Sequence, residues 1–290
     1  MSGAGSGRGR SGSDGGSSGR RAHGNRDERA GGSRSGREGG RPDRGRPRGG
    51  ERQRTASAPS ERRRSGDPAR LVAFDVLREV DGSDAYANLV LPPLLRERRI
   101  TGRDAGFATE LAYGTLRMRG RYDAIIEQCS QRELTAIEPA VLDILRLGIH
   151  QLLAMRVPPH AAVSETVGLA RQRTGAGSGQ FVNAVLRRAS EHSLDEWLEL
   201  IAAAADPAGT DTEARLAVVE SHPGWIVRGL RGALVANGRD ARELEGLLAA
   251  QNEAPRVTLV ARPGVTDQAD LPDDAIPGRW APTAHVLPAG

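Results

Sequence analysis

Apolar residues recur at helical spacing along most of the chain after residue 66, and the stretch Gly179–Arg188 (GQFVNAVLRR) shows this most clearly. Its apolar stripe is made by Phe181, Val182, Val185 and Leu186. The spacing predicts a helix with one buried face. Arg187 and Arg188 would lie at its basic end, either solvated or in contact with a phosphate. Asn183 lies within the stripe, so we expect a structural amide that needs hydrogen-bond partners.

Capping signals divide the first apolar region into successive helices. Asp67-Pro68 is typical of a helix start. Thr101–Asp104 resembles a capping box with Asp in the Glu position, and Ser193–Glu196 is a complete one. Pro92-Pro93 predicts that the apolar segment around it is not one uninterrupted helix. The pattern predicts a compact all-helical domain over residues 67–204.

The pattern changes after residue 209. Residues 210–252 carry three further helical segments, which we interpret as a helical linker. The run 256–262 is rich in β-branched residues and predicts a strand, and 284–287 predicts a weaker second one. Two short strands do not make a stable sheet. We therefore expect residues 253–290 to be the incomplete start of another domain.

Residues 1–66 have a different composition. They contain 18 Gly and 17 Arg against 7 acidic residues, a net charge of +10, and no aromatic residue. Too little apolar surface is available to offset the entropy of ordering, so the segment is predicted to be a disordered tail. Arg-Gly pairs such as Arg8-Gly9 are typical of tails that follow nucleic-acid backbones, although a purely solubilising tail explains the composition equally well.

The basic pI of about 10.1 belongs to this tail, because residues 67–290 hold 24 Arg against 30 acidic residues, a net charge of −6. Any nucleic-acid contact in the folded part must therefore be a local patch.

The single cysteine excludes an intrachain disulfide, and the six histidines lack metal-ligand spacing, so no metal is expected. No run of about 18 apolar residues is present. The default prediction is a soluble, cytoplasmic protein without membrane contact.

No catalytic constellation is evident. Cys129 follows two isoleucines near a predicted helix end, which favours a buried structural thiol over a nucleophile. The run Gly175–Gly179 (GAGSG) is interpreted as an inter-helix turn, with an anion site at the following helix as the alternative.

Arginine supplies the one candidate functional patch. The residues proposed to contact RNA phosphates are Arg103, Arg117, Arg119, Arg121, Arg171, Arg173, Arg187 and Arg188. The alternative is that these side chains belong to ordinary solvated helix faces.

Several ordered blocks resemble a known family. They are ATELAYGTLR (108–117), LRLGIHQLL (145–153), RVPPHAAVSETVGLA (156–170) and FVNAVLRR (181–188). Together they resemble the NusB-like RNA-binding domain of bacterial ribosomal RNA cytosine-C5 methyltransferases of the Sun (RsmB) type. The blocks SHPGWIVRGL (221–230) and LLAAQNEAPRVTL (247–259) are similar to the linker and first strand that follow in those enzymes.

The resemblance implies an all-α, NusB-like helical bundle with a helical linker and the start of a small α+β domain, preceded by the disordered tail. It implies ribosomal RNA as partner and S-adenosylmethionine as the full-length family's cofactor. The family's Gly-rich cofactor loop and cysteine motif are not found in the 290 residues, and Cys129 does not match that motif. No catalytic or cofactor-binding residue is therefore assigned. We expect a truncated or fragmentary chain that binds RNA weakly and methylates nothing.

Two rival interpretations remain. One is a stand-alone NusB-like antitermination or transcription-regulatory RNA-binding module. The other is a helical interaction domain with a disordered tail. The helices and strand after residue 207 favour the methyltransferase interpretation, because a free-standing module has no use for them.

Overall fold

The structure, a computed structural model, describes residues 66–266 and 270–288. The predicted tail, 1–66, lies outside the described residues except for Gly66. Eleven α-helices are found in the described part: α1 (Pro68–Ser83), α2 (Ala87–Glu97), α3 (Gly102–Arg117), α4 (Arg119–Ser130), α5 (Pro139–Leu153), α6 (Pro159–Arg173), α7 (Ala176–Ala189), α8 (Leu194–Ala205), α9 (Thr212–Val219), α10 (Gly224–Ala236) and α11 (Glu243–Asn252). The predicted helical fold is confirmed.

Helix α5 is the centre of the bundle. Every residue from 141 to 151 is buried, and α1, α3, α4, α6 and α7 pack around it. At Gly148 a Cβ would lie 2.7 Å from the methyl groups of Leu186 on α7 and 3.1 Å from Thr166 on α6. The glycine therefore lets three helices approach closely. Helix α5 is therefore covered on all sides.

Helix α2 differs from its prediction. It runs without a break through Pro92 and Pro93. The two prolines cannot donate to the carbonyls of Asn88 and Leu89, four residues earlier. Both of those residues are exposed, so water can hydrogen-bond to the two carbonyls. The helix is then held by its packing on α1.

The predicted caps give mixed results. The Asp67 carboxylate accepts a hydrogen bond from the backbone N–H of Arg70 at 3.0 Å, as expected for an N-cap. The Ser193–Glu196 box is complete, with the Ser193 N–H 2.7 Å from the Glu196 carboxylate. Thr101 precedes α3 but makes no side-chain cap hydrogen bond, so the capping box proposed there was wrong.

Helices α9 to α11 enclose a small core of Leu216, Val227, Leu244 and Leu248. A side-chain cap joins this group to the bundle, since Ser221 Oγ accepts from the backbone N–H of Gly120 at 2.9 Å. Arg121 Nε adds a hydrogen bond to the Val219 carbonyl at 2.8 Å. The linker helices are thus fixed to the start of α4.

The C-terminal part forms a three-stranded antiparallel sheet of order β1-β3-β2, from β1 (Thr258–Val260), β2 (Ile276–Pro277) and β3 (Ala284–Val286). The register pairs Leu259 with His285, and Pro277 with the same histidine on the other side. Strands β1 and β3 lie where the sequence predicted them. Strand β2 was missed because a two-residue edge strand with a proline leaves no periodic signal.

Candidate RNA-binding groove between α6 and α7

Helices α6 and α7 are joined by only Thr174 and Gly175, and they pack side by side. A groove of about 520 Å³ runs between them. Its α6 wall carries Val163, Val167 and Arg171, and its α7 wall carries Asn183, Arg187 and Ser190. These positions are spaced by three or four residues, so each set lies on one helix face. We call this site the α6–α7 groove.

The start of α7 differs from the sequence interpretation. Ala176, Gly177 and Ser178 already belong to the helix, so the Gly-rich run is the first turn of α7 rather than an inter-helix loop. Within this Gly-rich run, only Gly175 adopts a positive φ, +99°. This conformation suits a glycine that ends one helix and begins the next.

Two guanidinium groups from different helices share the groove. Arg171 and Arg187 are both exposed, and neither forms an ion pair with a carboxylate of the described residues. Arg187 Nε donates to Asn183 Oδ1 at 3.3 Å. Since no described residue of the groove lining is a carboxylate, the charge of the lining is positive and available to an anionic ligand.

A glycine places the first of these arginines. A Cβ at Gly179 would stand 2.6 Å from Arg171 Cγ and 3.1 Å from its Nε. The aliphatic stem of Arg171 therefore lies against the bare backbone of α7. This contact directs the side chain along the groove instead of leaving it free in solvent.

Four of the other predicted arginines form hydrogen bonds or ion pairs with other residues of the protein. Arg119 forms a two-pronged ion pair with Asp81, at 2.5 and 3.3 Å. Arg173 pairs with Asp75 and covers the Phe74 ring. Arg121 donates to the Val219 carbonyl, and Arg188 NH1 donates to the carbonyl of Cys129 at 3.3 Å. These side chains connect helices, so each would have to leave a partner to bind RNA.

Arg103 and Arg117 have no ion pair within the described residues, but neither lines the groove. Of the eight predicted arginines, the structure brings Arg171 and Arg187 together in it. RNA contact by any of the eight, including these two, stays a prediction.

Asn183 is not a core amide. It is half-buried in the groove, and its Oδ1 accepts from Arg187 while its Nδ2 makes no hydrogen bond to a described residue. Sequence reasoning placed it in the apolar stripe because its neighbours Val182 and Val185 are apolar, and the structure buries both of them. The i, i+4 spacing of Asn183 and Arg187 was the signal for the polar face that it shares.

A buried ionic network was missed from the sequence. Arg146, only 4% exposed, donates to Asp123 at 2.6 and 2.8 Å and to Asp143 at 2.8 Å. Arg78 donates to the second oxygen of Asp143 at 2.8 Å. Burial disfavours the charge on Arg146, but the hydrogen bonds to Asp123 and the nearby aspartates outweigh it and raise the pKa of Arg146. The network joins α1, α4 and α5 and is consistent with a structural role.

The predicted burial of the Cys129 thiol is confirmed. Cys129 is 5% exposed, and burial raises its pKa to about 12.

Among residues 66–266 and 270–288 no group of His, Cys, Asp and Glu side chains is arranged to hold a metal ion. No helix in the same part of the chain is long and apolar enough to cross a bilayer.

Comparison with known proteins identifies the bundle that carries the groove. The NusB family model matches residues 67–191. The chain carries a NusB-family domain. The α6–α7 groove lies wholly within the matched residues, so it is a feature of this NusB-like domain, and the expected fold family is confirmed.

The relatives extend beyond that domain. A Mycobacterium tuberculosis protein that bears the name of a methyltransferase is 46% identical over 231 residues, covering 79% of this chain and 49% of the relative. The ribosomal RNA small subunit methyltransferase B of Pseudomonas putida is 32% identical over 191 residues, 66% of this chain and 39% of the relative. The chain thus spans about half or less of the length of these relatives.

Among solved structures, that of PH0851 has a TM-score of 0.51 and 11% identity, and the match covers 77% of this chain and 49% of that chain. At this identity the match shows the fold alone. The matched part of this chain is longer than residues 67–191, which match the NusB family model.

Proposed function

We propose that this chain is the RNA-binding portion of an S-adenosylmethionine-dependent ribosomal RNA cytosine-C5 methyltransferase and acts in the cytoplasm. The observation that carries the proposal is the positive α6–α7 groove, in which Arg171 and Arg187 lack carboxylate partners among the described residues. Such groups suit the phosphates of RNA, which bind chiefly through charge.

The extent of the match favours a methyltransferase over the stand-alone regulatory module. The match to the Mycobacterium tuberculosis relative runs over 231 residues, whereas the NusB family model covers residues 67–191. A match of 231 of the 290 residues must extend past residue 191, so the similarity includes the linker helix α9 and at least part of α10. A free-standing RNA-binding module needs neither.

Methyl transfer belongs, in this proposal, to the part of the relatives that the match does not cover. That part would bind S-adenosylmethionine and supply the cysteine nucleophile, because Cys129 is buried and protonated at neutral pH. The 290-residue chain alone should transfer no labelled methyl group to ribosomal RNA. Incorporation by purified chain would contradict this division.

RNA binding is tested by filter binding of a small-subunit ribosomal RNA fragment to the full chain across a salt series. Arg171→Ala/Arg187→Ala should weaken binding about tenfold or more at low salt. It should also reduce the salt slope by about 1.4, the release expected for two single-strand phosphate contacts.

The matched control is Arg231→Ala/Arg239→Ala. It removes the same charge from arginines that pair with Glu213 and Glu243 and that do not line the groove. All variants keep residues 1–66, so binding by that Arg-rich segment is constant. The proposal fails if the wild type does not bind at low salt, or if both double variants lose affinity equally.

A further inference from the structure

The α6–α7 groove has an apolar floor as well as a positive rim. Val163 and Val167 lie one turn apart on α6, the second of them 7% exposed, and both line the cavity. A site that bound only phosphates would need no such floor. Apolar surface enclosed by a few polar groups is typical of a pocket for a small organic ligand.

The size of the groove limits what enters it. About 520 Å³ lies within the range of roughly 300–1,000 Å³ common for small-molecule sites. One nucleotide fits such a volume. In a base-paired duplex the bases are stacked inside the helix, so no single base is available to enter the groove. Specific RNA recognition generally uses unstacked bases in loops and single strands.

The polar groups are placed for a nucleotide. Arg171 on α6 and Arg187 on α7 both line the groove, so each wall offers a guanidinium group to a phosphate. The Nδ2 of Asn183, which makes no hydrogen bond to a described residue, can donate to a carbonyl or ring nitrogen on the edge of a base. No carboxylate is among the described residues of the lining, so none of them repels the phosphate charge.

We propose that the α6–α7 groove holds one unpaired nucleotide, with its phosphate between Arg171 and Arg187 and its base on Val163 and Val167 beside Asn183. This inference rests on the proposed RNA-binding function and specifies its ligand as single-stranded RNA. The site therefore selects for an unpaired base, in addition to the general attraction of arginine for phosphate.

The test compares an eight-nucleotide single-stranded oligoribonucleotide with the same sequence as a duplex, both by fluorescence anisotropy with the full chain. Ser164→Trp adds a ring at an exposed position that lines the groove, without changing the charge. Gln180→Trp, at an exposed α7 position outside the groove lining, is its control. Asn183→Ala removes the base contact with little risk to folding, since the residue is only half-buried.

We expect Ser164→Trp and Asn183→Ala to weaken single-strand binding about tenfold each, comparable to the loss of a base contact. Duplex binding and the Gln180→Trp variant should be unchanged. Equal affinity for single strand and duplex, or wild-type affinity in both groove variants, would overturn the inference. If Arg171→Ala/Arg187→Ala still lowers RNA affinity in that case, the RNA-binding function stands without the nucleotide site. Absence of any RNA binding refutes both.

Discussion

The stem of Arg171 lies against Gly179 so closely that a Cβ at the glycine would stand 2.6 Å from the arginine Cγ. Arg171 is on α6 and Gly179 is on α7. The glycine therefore determines the path of the Arg171 side chain, a candidate RNA contact, against α7. The atom approached is near the start of the side chain, not its flexible end. A methyl group at residue 179 would therefore displace the whole arginine.

Gly179→Ala should lower RNA affinity several-fold through this displacement. Alanine is the better helix former by roughly 0.5–1 kcal/mol, so the free energy of unfolding should fall little or even rise. Filter binding and urea unfolding measure the two effects separately. A loss of RNA affinity without loss of stability would identify the position of Arg171 as the cause.

Gly177→Ala is the matched control in the same first turn of α7. A Cβ there meets nothing within 4 Å. This variant should keep wild-type RNA affinity and gain stability from the helix propensity of alanine. Wild-type affinity in Gly179→Ala would show that the Arg171 contact does not matter for binding.

Local signals in the sequence predicted the helices well because the responsible residues are neighbours. Ser193 and Glu196 cap each other three residues apart, and Asp67 caps a helix that begins at the next residue. The prolines of α2 misled the analysis, since water at the exposed carbonyls and packing on α1 compensate for the missing donors. Neither compensation can be read from residues 85–95 alone.

The candidate site was harder to predict because arginine partners are distant in sequence. Arg119 pairs with Asp81, 38 residues away, and Arg173 pairs with Asp75, 98 residues away. The sequence presents these arginines and Arg171 as equivalent polar positions. Tertiary packing distinguishes those that connect helices from Arg171 and Arg187, which remain without carboxylate partners in the described part of the protein.

Removal of Arg146 should destabilise the bundle strongly. In Arg146→Met, Asp123 loses both of its guanidinium hydrogen bonds and Asp143 keeps only that from Arg78. Breaking such a buried pair typically costs about 3–5 kcal/mol, because a buried charge is left without compensation. Urea unfolding followed by circular dichroism measures the loss.

Arg119→Met provides the comparison at an exposed ion pair beside the network, since its partner Asp81 also lies 3.5 Å from Arg146. The Arg119 side chain is 42% exposed, and an ion pair at that exposure contributes about 1 kcal/mol or less. Arg146→Met should therefore be clearly less stable than Arg119→Met. Equal losses would mean that solvent reaches Arg146 and that the network is not buried.

Cys129 should make stability fall in alkaline solution. Burial raises the pKa of the thiol to about 12, whereas an unfolded cysteine titrates near about 8.5. Above pH 8.5 the unfolded chain therefore binds fewer protons than the folded one, and the free energy of unfolding declines. The contribution of the Cys129 thiol to the free energy of unfolding is fully present below the unfolded pKa and is lost as the pH rises toward 12. One pH unit above 8.5 corresponds to about 1.4 kcal/mol.

The measurement is the urea midpoint from pH 7 to 9.5 for the wild type and for Cys129→Ala. The chain has one cysteine, so the variant removes all thiol titration and leaves the other ionisable groups in place. The difference between the two curves should shrink by about 1.4 kcal/mol across that range, because only the wild type loses the thiol contribution. Parallel curves, or rapid alkylation of native Cys129 by iodoacetamide at pH 8, would show that the thiol contacts solvent between α4 and α7.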